Sequence, residues 1–417
     1  MKLSLVYFIL AAFAVANDDT VTGDLDVWDD VFASREYEVL VNAQENKMYW
    51  TEGPVLMTNN DGGEDHEVLF FSDVITAKIY SLETDRAIQD RAKEKYSNSD
   101  ATNNILDKHL HVVKERSGDS PPKDDYWRAE PGGNGLAVLS QTPLRKLVMC
   151  QHGAQRLATL DLDTGTTYPL AVEHAGKKLN GPNDVVLHYE NGDLFAYFTD
   201  PVYAWLEKDR PEDLPYLDER VKSRGPGHCG VYRIKLVDDD YPQANAKNEV
   251  ELITADMMRP NGIGFIDDDH LIVSDCCQGS HLKDCKSGTS RWTIFELQDQ
   301  DRNWAHSKTI EDTVPIDTAE GGCADGFAVY KYAKKEELRT HVLLASCFGG
   351  LCIVDLETGE VVSRMWTARE YGACRISNIA VGKEYAFLTG SCGILTLPLA
   401  GKKGQSKDTK ALLAAEL

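Results

Sequence analysis

The 417-residue sequence predicts an all-β fold, a six-bladed β-propeller with a central metal-binding channel. Three observations support this prediction. A turn-prone residue pair followed by a strand-like apolar run occurs six times along the chain, and further apolar runs follow it in each copy. The shortest spacing between copies, 49 residues, is close to the length of a four-stranded propeller blade. Helical periodicity is weak over most of the chain.

The six repeats begin at a Glu, Asn or Asp, and their starts are separated by 82, 49, 78, 64 and 53 residues. The longer intervals therefore carry insertions, which we expect near residues 83–130 and 201–229. Two β-sandwiches in tandem are the alternative fold, but they would not explain six copies of one pattern. The six starts are Glu52-Gly53-Pro54, Asn134-Gly135-Leu136, Asn183-Asp184-Val185, Asn261-Gly262-Ile263, Asp325-Gly326-Phe327 and Asn378-Ile379-Ala380.

The N-terminus has the features of a secretory signal peptide. Lys2 is positively charged, residues 3–13 are almost wholly apolar, and Ala14-Val15-Ala16 matches a cleavage site. We therefore expect residues 1–16 to be a signal peptide, residues 17–417 to form one propeller domain, and the protein to be secreted. The alternative is an uncleaved apolar N-terminus.

The chain has ten cysteines, all beyond the signal segment, and nine of them follow residue 228. An even number of cysteines in a secreted chain predicts disulfides, although their pairing cannot be derived from the sequence. A zinc site is the alternative for Cys276, Cys277, His281 and Cys285. It is disfavoured because adjacent cysteines rarely point at one metal and the compartment is oxidising.

The formal net charge is −23. A chain this acidic repels nucleic acid and anionic membranes, so we expect neither as a partner. Beyond the signal segment no apolar stretch is long enough to cross a bilayer, and we expect no membrane anchor. A chain this acidic suits a protein that binds a cation, and we expect a monomer.

The repeat starts predict a metal site. In a propeller the innermost strands begin at the central channel, so equivalent residues of six blades converge there. Carboxylate and amide oxygens are the ligands that Ca²⁺ prefers, with Mg²⁺ or Mn²⁺ also suited. The alternative is that the Asn-Gly and Asp-Gly pairs merely form turns. The converging residues would be Glu52, Asn134, Asn183, Asn261, Asp325 and Asn378.

Several motifs occur in an order that is typical of one family. Residues 178–186 and Phe198-Thr199-Asp200-Pro201 match a Pro-Asn-Asp motif followed by Phe-Thr-Asp-Pro, and Cys150-Gln151-His152-Gly153 matches a Cys-x-His-Gly segment. On these motifs the sequence resembles the senescence-marker protein, gluconolactonase and luciferin-regenerating enzyme family. That family includes regucalcin and bacterial gluconolactonases and, more distantly, diisopropyl fluorophosphatase and the paraoxonases. The resemblance covers roughly residues 52–399.

The resemblance implies a six-bladed propeller whose channel holds a divalent metal. By position, the ligands would be Glu52, Asn183, Asn261 and Asp325, and Asp325 would also donate or accept a proton.

The sequence departs from the family pattern at three places. Gly181 stands where close relatives have Ser, and Val55-Leu56 replaces an aromatic residue after Glu-Gly-Pro. Val202-Tyr203-Ala204 replaces Pro-Tyr-Gly after Phe-Thr-Asp-Pro. These departures leave the metal ligands intact and bear on the substrate.

The predicted function is a metal-dependent hydrolase of carboxylic esters, a gluconolactonase-like lactonase that uses Ca²⁺ or another divalent cation, Mg²⁺, Mn²⁺ or Zn²⁺. A carboxylate beside the metal can take a proton from the attacking water. Asp325 is the first candidate for this role, with Asp184 and His152 as further candidates.

Three alternatives to the lactonase remain at this point. The same metal site could cleave a phosphotriester or aryl ester. The propeller could be a non-catalytic calcium-binding protein. A strictosidine-synthase-like propeller without metal is the third alternative, and it would leave Asn183, Asn261 and Asp325 together unexplained.

Overall fold

The computed structural model describes residues 21–61, 64–96, 106–119, 130–141, 145–205, 221–236, 249–276, 290–298, 303–312, 323–334, 337–367 and 374–400. The expected signal segment, residues 1–16, lies outside these ranges, as do parts of both expected insertions. Within the described ranges, no helix combines the length and the apolar character that a membrane span requires.

Three short elements precede the repeats. Asp24 caps the helix among them, since its carboxylate accepts hydrogen bonds from the N–H groups of Asp26 and Val27. Trp28 on that helix is fully buried, and its indole donates to the Ser34 carbonyl at 3.0 Å. The three elements are β1 (Val21–Gly23), α1 (Leu25–Val31) and β2 (Glu38–Asn42).

The first three repeats each fold into a four-stranded antiparallel sheet. Blade one consists of β3 (Thr51–Asp61), β4 (Glu64–Asp73), β5 (Lys78–Glu83) and β6 (Leu110–Glu115), with α2 (Thr84–Tyr96) and α3 (Leu106–His109) between its last two strands. Blade two consists of β7 (Leu136–Ser140), β8 (Lys146–Gln151), β9 (Arg156–Asp161) and β10 (Thr167–Ala171), and a small hairpin, β11 (Glu173–His174) and β12 (Lys177–Lys178), follows it. Blade three consists of β13 (Val185–Glu190), β14 (Asp193–Asp200), β15 (Gly230–Leu236) and β16 (Glu251–Thr254).

The last three repeats fold in the same way. Blade four consists of β17 (Pro260–Asp267), β18 (His270–Asp275), β19 (Arg291–Leu297) and β20 (Trp304–Glu311). Blade five consists of β21 (Phe327–Lys334), β22 (Glu337–Cys347), β23 (Gly350–Asp355) and β24 (Glu360–Trp366). Blade six takes β25 (Ile376–Val381), β26 (Tyr385–Gly390) and β27 (Gly393–Pro398) from the C-terminal end of the described chain.

The N-terminal strands complete the last two blades. β2 pairs antiparallel with β27, with Glu38 opposite Thr396 and Asn42 opposite Gly393, and so supplies the fourth strand of blade six. β1 pairs with β24 and adds a fifth strand to blade five. Backbone hydrogen bonds therefore join the two ends of the described chain. The six-bladed β-propeller predicted from the repeats is confirmed.

The core lies between neighbouring blades. Val148 and Leu157 of blade two, for example, pack with Phe198 and Tyr232 of blade three, and all four are completely buried. Burying each such side chain contributes roughly 1.5–3 kcal/mol. The second strand of a blade is covered on both faces, so runs such as residues 147–150 are apolar without alternation.

The first insertion differs from its expected place. β6 lies within residues 83–130 and is the outermost strand of blade one, so the helical segment interrupts blade one instead of separating blades one and two. An outermost strand is covered on one face only. Most of β6 is correspondingly exposed or half-buried, which weakens the apolar pattern that would have marked it as a strand.

Candidate functional site

The repeat starts lie together on one face of the propeller, which we call the site face. It is the face on which the innermost strand of every blade begins, and the second strand of each blade ends there. The strand ends that flank the long segments 116–135, 201–229 and 276–290 also lie on this face. Loops of this kind commonly carry function. The repeat-start residues are all at least nine-tenths buried: Glu52, Asn134, Asn183, Asn261, Asp325 and Asn378.

Hydroxyl groups connect neighbouring blades beneath these residues. In four blades, the penultimate residue of the second strand donates a hydrogen bond to a backbone carbonyl at the start of the next blade. The pairs are Ser72 to Asn134, Thr199 to Asn261, Ser274 to Asp325 and Ser346 to Ile376, at 2.6–3.0 Å. In blade two the equivalent residue is Cys150, a buried thiol whose pKa is raised by burial. This inter-blade hydrogen bonding holds the repeat starts close together on the site face.

Glu52 begins the ring in blade one. Its Oε1 accepts a hydrogen bond from the Trp50 indole at 3.1 Å, and its Oε2 accepts one from the Gly53 N–H at 3.2 Å. Burial raises the pKa of this carboxyl well above its usual range, and the nearby carboxylates of Asp325 and Asp184 raise it further. Glu52 is therefore oriented by two donors and surrounded by negative charge.

Asp325 lies at the start of blade five. The Asn261 side chain of blade four donates a hydrogen bond to its carboxylate. Burial raises the pKa of Asp325 well above its usual range, and the charges of Asp184 and Glu130 add to the effect. Carboxylates from blades one, three and five thus lie within each other's electrostatic reach. Glu52 and Asp325 are repeat starts, whereas Asp184 follows the repeat start Asn183.

Asp184 of blade three interacts with Asn378 of blade six, the blade opposite to it in the ring. The Asn378 amide donates to Asp184 Oδ2 at 3.4 Å, and the Val185 N–H donates to Oδ1 at 2.9 Å. Burial raises the pKa of Asp184 to about 6. Asp184 fits close against Gly135, where a Cβ would lie 2.3 Å from Oδ1. The glycine at position 135 is therefore explained by the close approach of blades two and three, and not by the needs of a turn.

His152 is fully buried in a 3₁₀ turn that directly follows β8. Its Nδ1 lies 3.1 Å from the Pro182 carbonyl, next to Asn183. Its Nε2 lies 3.2 Å from Glu130 Oε2, a charge contact without aligned hydrogen-bond geometry. Both ring nitrogens therefore face protein groups. A role for His152 in proton transfer stays a prediction.

Sequence reasoning did not identify Glu130, although it interacts with both His152 and Asp325. Glu130 lies outside the repeated pattern, and the only available signal was an acidic residue four positions before Asn134. Asp200, in the Phe-Thr-Asp-Pro motif, has a structural role, because its carboxylate accepts hydrogen bonds from the N–H groups of Asn180 and Gly181. Burial raises its pKa to about 7.

The donor set suits a divalent cation. It consists of carboxylate and amide oxygens, and three buried carboxylates repel one another unless a positive charge compensates them. A second cluster, Asp312 with Cys347 and Cys352, does not suit one. Its two sulfurs form a disulfide, and Asp312 accepts a hydrogen bond from Arg364 at 2.6 Å.

Among the described residues, three disulfides confirm the prediction of crosslinking in the C-terminal half. They join Cys276 to Cys323, Cys347 to Cys352 and Cys374 to Cys392. The first is close to the site, since Cys323 lies two residues before Asp325. It also contradicts a zinc site containing Cys276, because a disulfide sulfur is not available as a thiolate ligand. Cys277, His281 and Cys285 lie outside the described residues.

Comparison with known proteins supports the fold. No family model matches the sequence, and no curated protein matches it. A solved structure provisionally named a gluconolactonase is 20% identical, with a TM-score of 0.57, and the match covers 91% of this chain and 97% of that one. Regucalcin from Agrobacterium tumefaciens is 14% identical, with a TM-score of 0.44, and the match covers 89% of this chain and 95% of that one. A luciferin-regenerating enzyme is 11% identical, with a TM-score of 0.47, and the match covers 87% of this chain and 97% of that one.

At sequence identities of 11–20%, structural similarity establishes the architecture alone. Of these three structures, the first has a TM-score above 0.5. It agrees with the resemblance that the motifs indicated. The chain is a six-bladed β-propeller similar in fold to the structure named as a gluconolactonase.

Proposed function

We propose that this protein is a divalent-metal-dependent lactonase of the senescence-marker protein and gluconolactonase family, acting on a sugar lactone. The observation that carries the proposal is the meeting of three buried carboxylates, Glu52, Asp184 and Asp325, from alternate blades at the site face. Burying mutually repelling carboxylates costs stability unless a cation compensates their charge, and clusters of this kind are found mainly at functional sites.

Four residues would hold the cation: Glu52, Asn183, Asn261 and Asp325. Ca²⁺ matches this oxygen set best, and Mg²⁺, Mn²⁺ or Zn²⁺ are the other candidates. When bound, a divalent cation supplies a Lewis acid that polarises the lactone carbonyl. Asp184 is not one of these four; its carboxylate accepts hydrogen bonds from Asn378 and Val185.

The remaining chemistry belongs to the protein's own side chains. Asp325 would accept a proton from a water molecule as that water's oxygen forms a bond to the carbonyl carbon. The ring C–O bond then breaks, and the proton passes to the departing alkoxide, which becomes the hydroxyl of the hydroxy-acid product. Asn261 would orient Asp325 through its hydrogen bond. His152 would hold the backbone at Pro182 and so fix the direction of Asn183.

We also propose that the protein is secreted after removal of residues 1–16, and that it acts as a monomer. The three disulfides support an oxidising compartment.

The rival hydrolase reaction, cleavage of a phosphotriester or aryl ester, would use the same residues. The rival without catalysis is a propeller in which the cation is structural. Turnover distinguishes the second rival, because a purely structural site would bind the cation through the same residues and hydrolyse no lactone.

The test is hydrolysis of glucono-1,5-lactone and a panel of small lactones by the secreted protein. The assay would be run without metal and with Ca²⁺, Mg²⁺, Mn²⁺ or Zn²⁺ added in turn. Asp325→Asn preserves size, and we expect it to reduce kcat by at least about 10²-fold. Asp163→Asn, a change at an exposed turn carboxylate, is the matched control and should retain full activity. Tight metal binding without turnover of any lactone would refute the lactonase and favour the rivals.

A further inference from the structure

Tyr203 is placed by close packing at the site face. It begins the 3₁₀ turn Tyr203–Trp205, three residues after the end of β14. The next residue, Ala204, packs so tightly against Gly181 that a Cβ on the glycine would lie 2.2 Å from the alanine methyl. Gly181 precedes Asn183 by two residues. The backbone that carries Tyr203 is therefore held against the segment that carries a proposed metal ligand.

The Tyr203 hydroxyl is buried, and it has no hydrogen-bond partner among the described residues. Burial raises the pKa of this phenol well above its usual range, so it is a neutral donor at physiological pH. Proteins rarely leave a buried hydroxyl unpaired, because the group has lost its hydrogen bonds to water without replacement. The unpaired Tyr203 hydroxyl can therefore form a hydrogen bond with a polar group of a bound ligand.

The groups around Tyr203 include residues of the candidate site. Tyr203 packs on a small apolar cluster that includes Cys229, and the Cys229 sulfur lies 3.7 Å from Arg259 Nη1. The charges of Arg259, Asp325 and Glu130 all act on the Tyr203 hydroxyl. Glu130 in turn contacts His152 at 3.2 Å. A guanidinium donor, a carboxylate acceptor and a hydroxyl that can do both therefore lie near one another and near Asp325.

We propose that Tyr203, Arg259 and Glu130 form a subsite that binds the hydroxyl groups of a polyhydroxylated substrate, with Tyr203 as the hydrogen-bonding contact. The inference rests on the proposed lactonase function and assigns residues that would recognise the hydroxyl groups of its substrate. A sugar hydroxyl both donates and accepts, and so matches a mixed set of donors and acceptors. A phosphotriester or simple aryl ester offers acceptors only and has no donor for the Glu130 carboxylate.

The test compares the intact protein, with Ca²⁺ bound, as wild type, Tyr203→Phe and a control, Tyr80→Phe. Tyr80 is a buried tyrosine of blade one that stacks on Phe71. Three quantities are measured: hydrolysis of glucono-1,5-lactone, hydrolysis of δ-valerolactone, which has no hydroxyl groups, and calorimetric binding of the non-hydrolysable gluconolactam. Thermal unfolding and Ca²⁺ affinity are recorded for each variant.

We expect Tyr203→Phe to weaken lactam binding about tenfold and to raise KM for gluconolactone by a similar factor. The rate with δ-valerolactone should change less than twofold, and Ca²⁺ affinity should not change. The thermal midpoint of Tyr203→Phe should equal or exceed that of the wild type, since the variant removes an unpaired buried hydroxyl. A tyrosine with a purely structural role would not combine this retained stability with selective loss of the hydroxylated ligands.

Two results would overturn the subsite. Equal lactam binding by wild type and Tyr203→Phe would refute the role of Tyr203 while the lactonase proposal stands. Ca²⁺ binding without any lactam binding or lactone turnover in the wild type would refute the lactonase itself, and with it the assignment of a sugar to this subsite.

Discussion

Gly181 and Ala204 occupy one shared space beside the site. A side chain at position 181 would begin 2.2 Å from the Ala204 methyl, and Gly181 has a φ of +154°, which disfavours a side chain as well. In the sequence these are two separate departures from the family pattern, Gly for Ser at 181 and Ala for Gly at 204. Because the two positions touch in the structure, we interpret the two departures as one exchange, in which Gly181 leaves room for the Ala204 methyl.

The exchange predicts strong coupling between the two positions. Gly181→Ser alone should destabilise the protein by about 2 kcal/mol or more, because the new side chain meets Ala204. Adding Ala204→Gly should recover part of that loss, with a coupling energy of about 1 kcal/mol, and the left-handed φ should account for the remainder. Chemical denaturation of both single variants and the double variant measures the coupling. Additive effects would show that the two departures are independent.

Asn378 is expected to be required as an amide because it donates to Asp184 across the channel. Asn378→Asp keeps the shape but places two carboxylates 3.4 Å apart. We expect a loss of about 2 kcal/mol in unfolding free energy at pH 7.5 without metal, and a smaller loss at pH 5, where the pair can share a proton. Asn303→Asp, an exposed change in blade four, is the control and should have little effect at either pH. Equal losses at both values of pH would mean that repulsion between the two carboxylates is not the cause of the Asn378→Asp effect.

The stability of the metal-free protein should fall as the pH rises from about 4 to about 7. Burial raises the pKa of Asp184 to about 6 and that of Asp200 to about 7, and it raises the pKa values of Glu52 and Asp325 as well. The unfolded chain releases these protons at lower pH than the folded one does, so the stability they provide is present at low pH and lost at higher pH.

We expect the thermal midpoint of the metal-free protein to drop by about 5 °C between pH 5 and pH 7.5. With Ca²⁺ in excess the drop should be smaller, because the cation binds the ionised carboxylates and stabilises the folded state. Differential scanning calorimetry with and without chelator checks this. If the pH dependence is the same with and without Ca²⁺, these carboxylates do not bind the cation.

The Cys276–Cys323 disulfide should matter both for stability and for the site. It links positions 47 residues apart and anchors the segment just before Asp325. Replacing both cysteines with Ser should cost roughly 2–4 kcal/mol in unfolding free energy and weaken Ca²⁺ binding about tenfold.

The matched control replaces Cys347 and Cys352, whose positions are only five residues apart in blade five. It should cost less stability and leave Ca²⁺ affinity unchanged, as measured by denaturation and calorimetry. Unchanged affinity in the Cys276 and Cys323 variant would show that Asp325 is held without the disulfide.

The sequence by itself determined the number of blades and the order of the channel residues. The physical reason is repetition: every blade must bury the same apolar strands, and every inner strand starts at the same axis. The repeat alone therefore places Glu52, Asn261 and Asp325 together. Contributors outside the repeat have no such signal, which is why Glu130 was missed.

Only the tertiary structure decided how the ring closes and what surrounds the carboxylates. β2 is a short strand whose pairing with β27 depends on residues more than 300 positions away, and local pattern carries no information about that pairing. The same holds for Asn378 across the channel from Asp184, for the space shared by Gly181 and Ala204, and for the buried Tyr203 hydroxyl, which has no partner among the described residues. Each of these depends on contacts between distant parts of the chain, decided by packing once the blades are assembled.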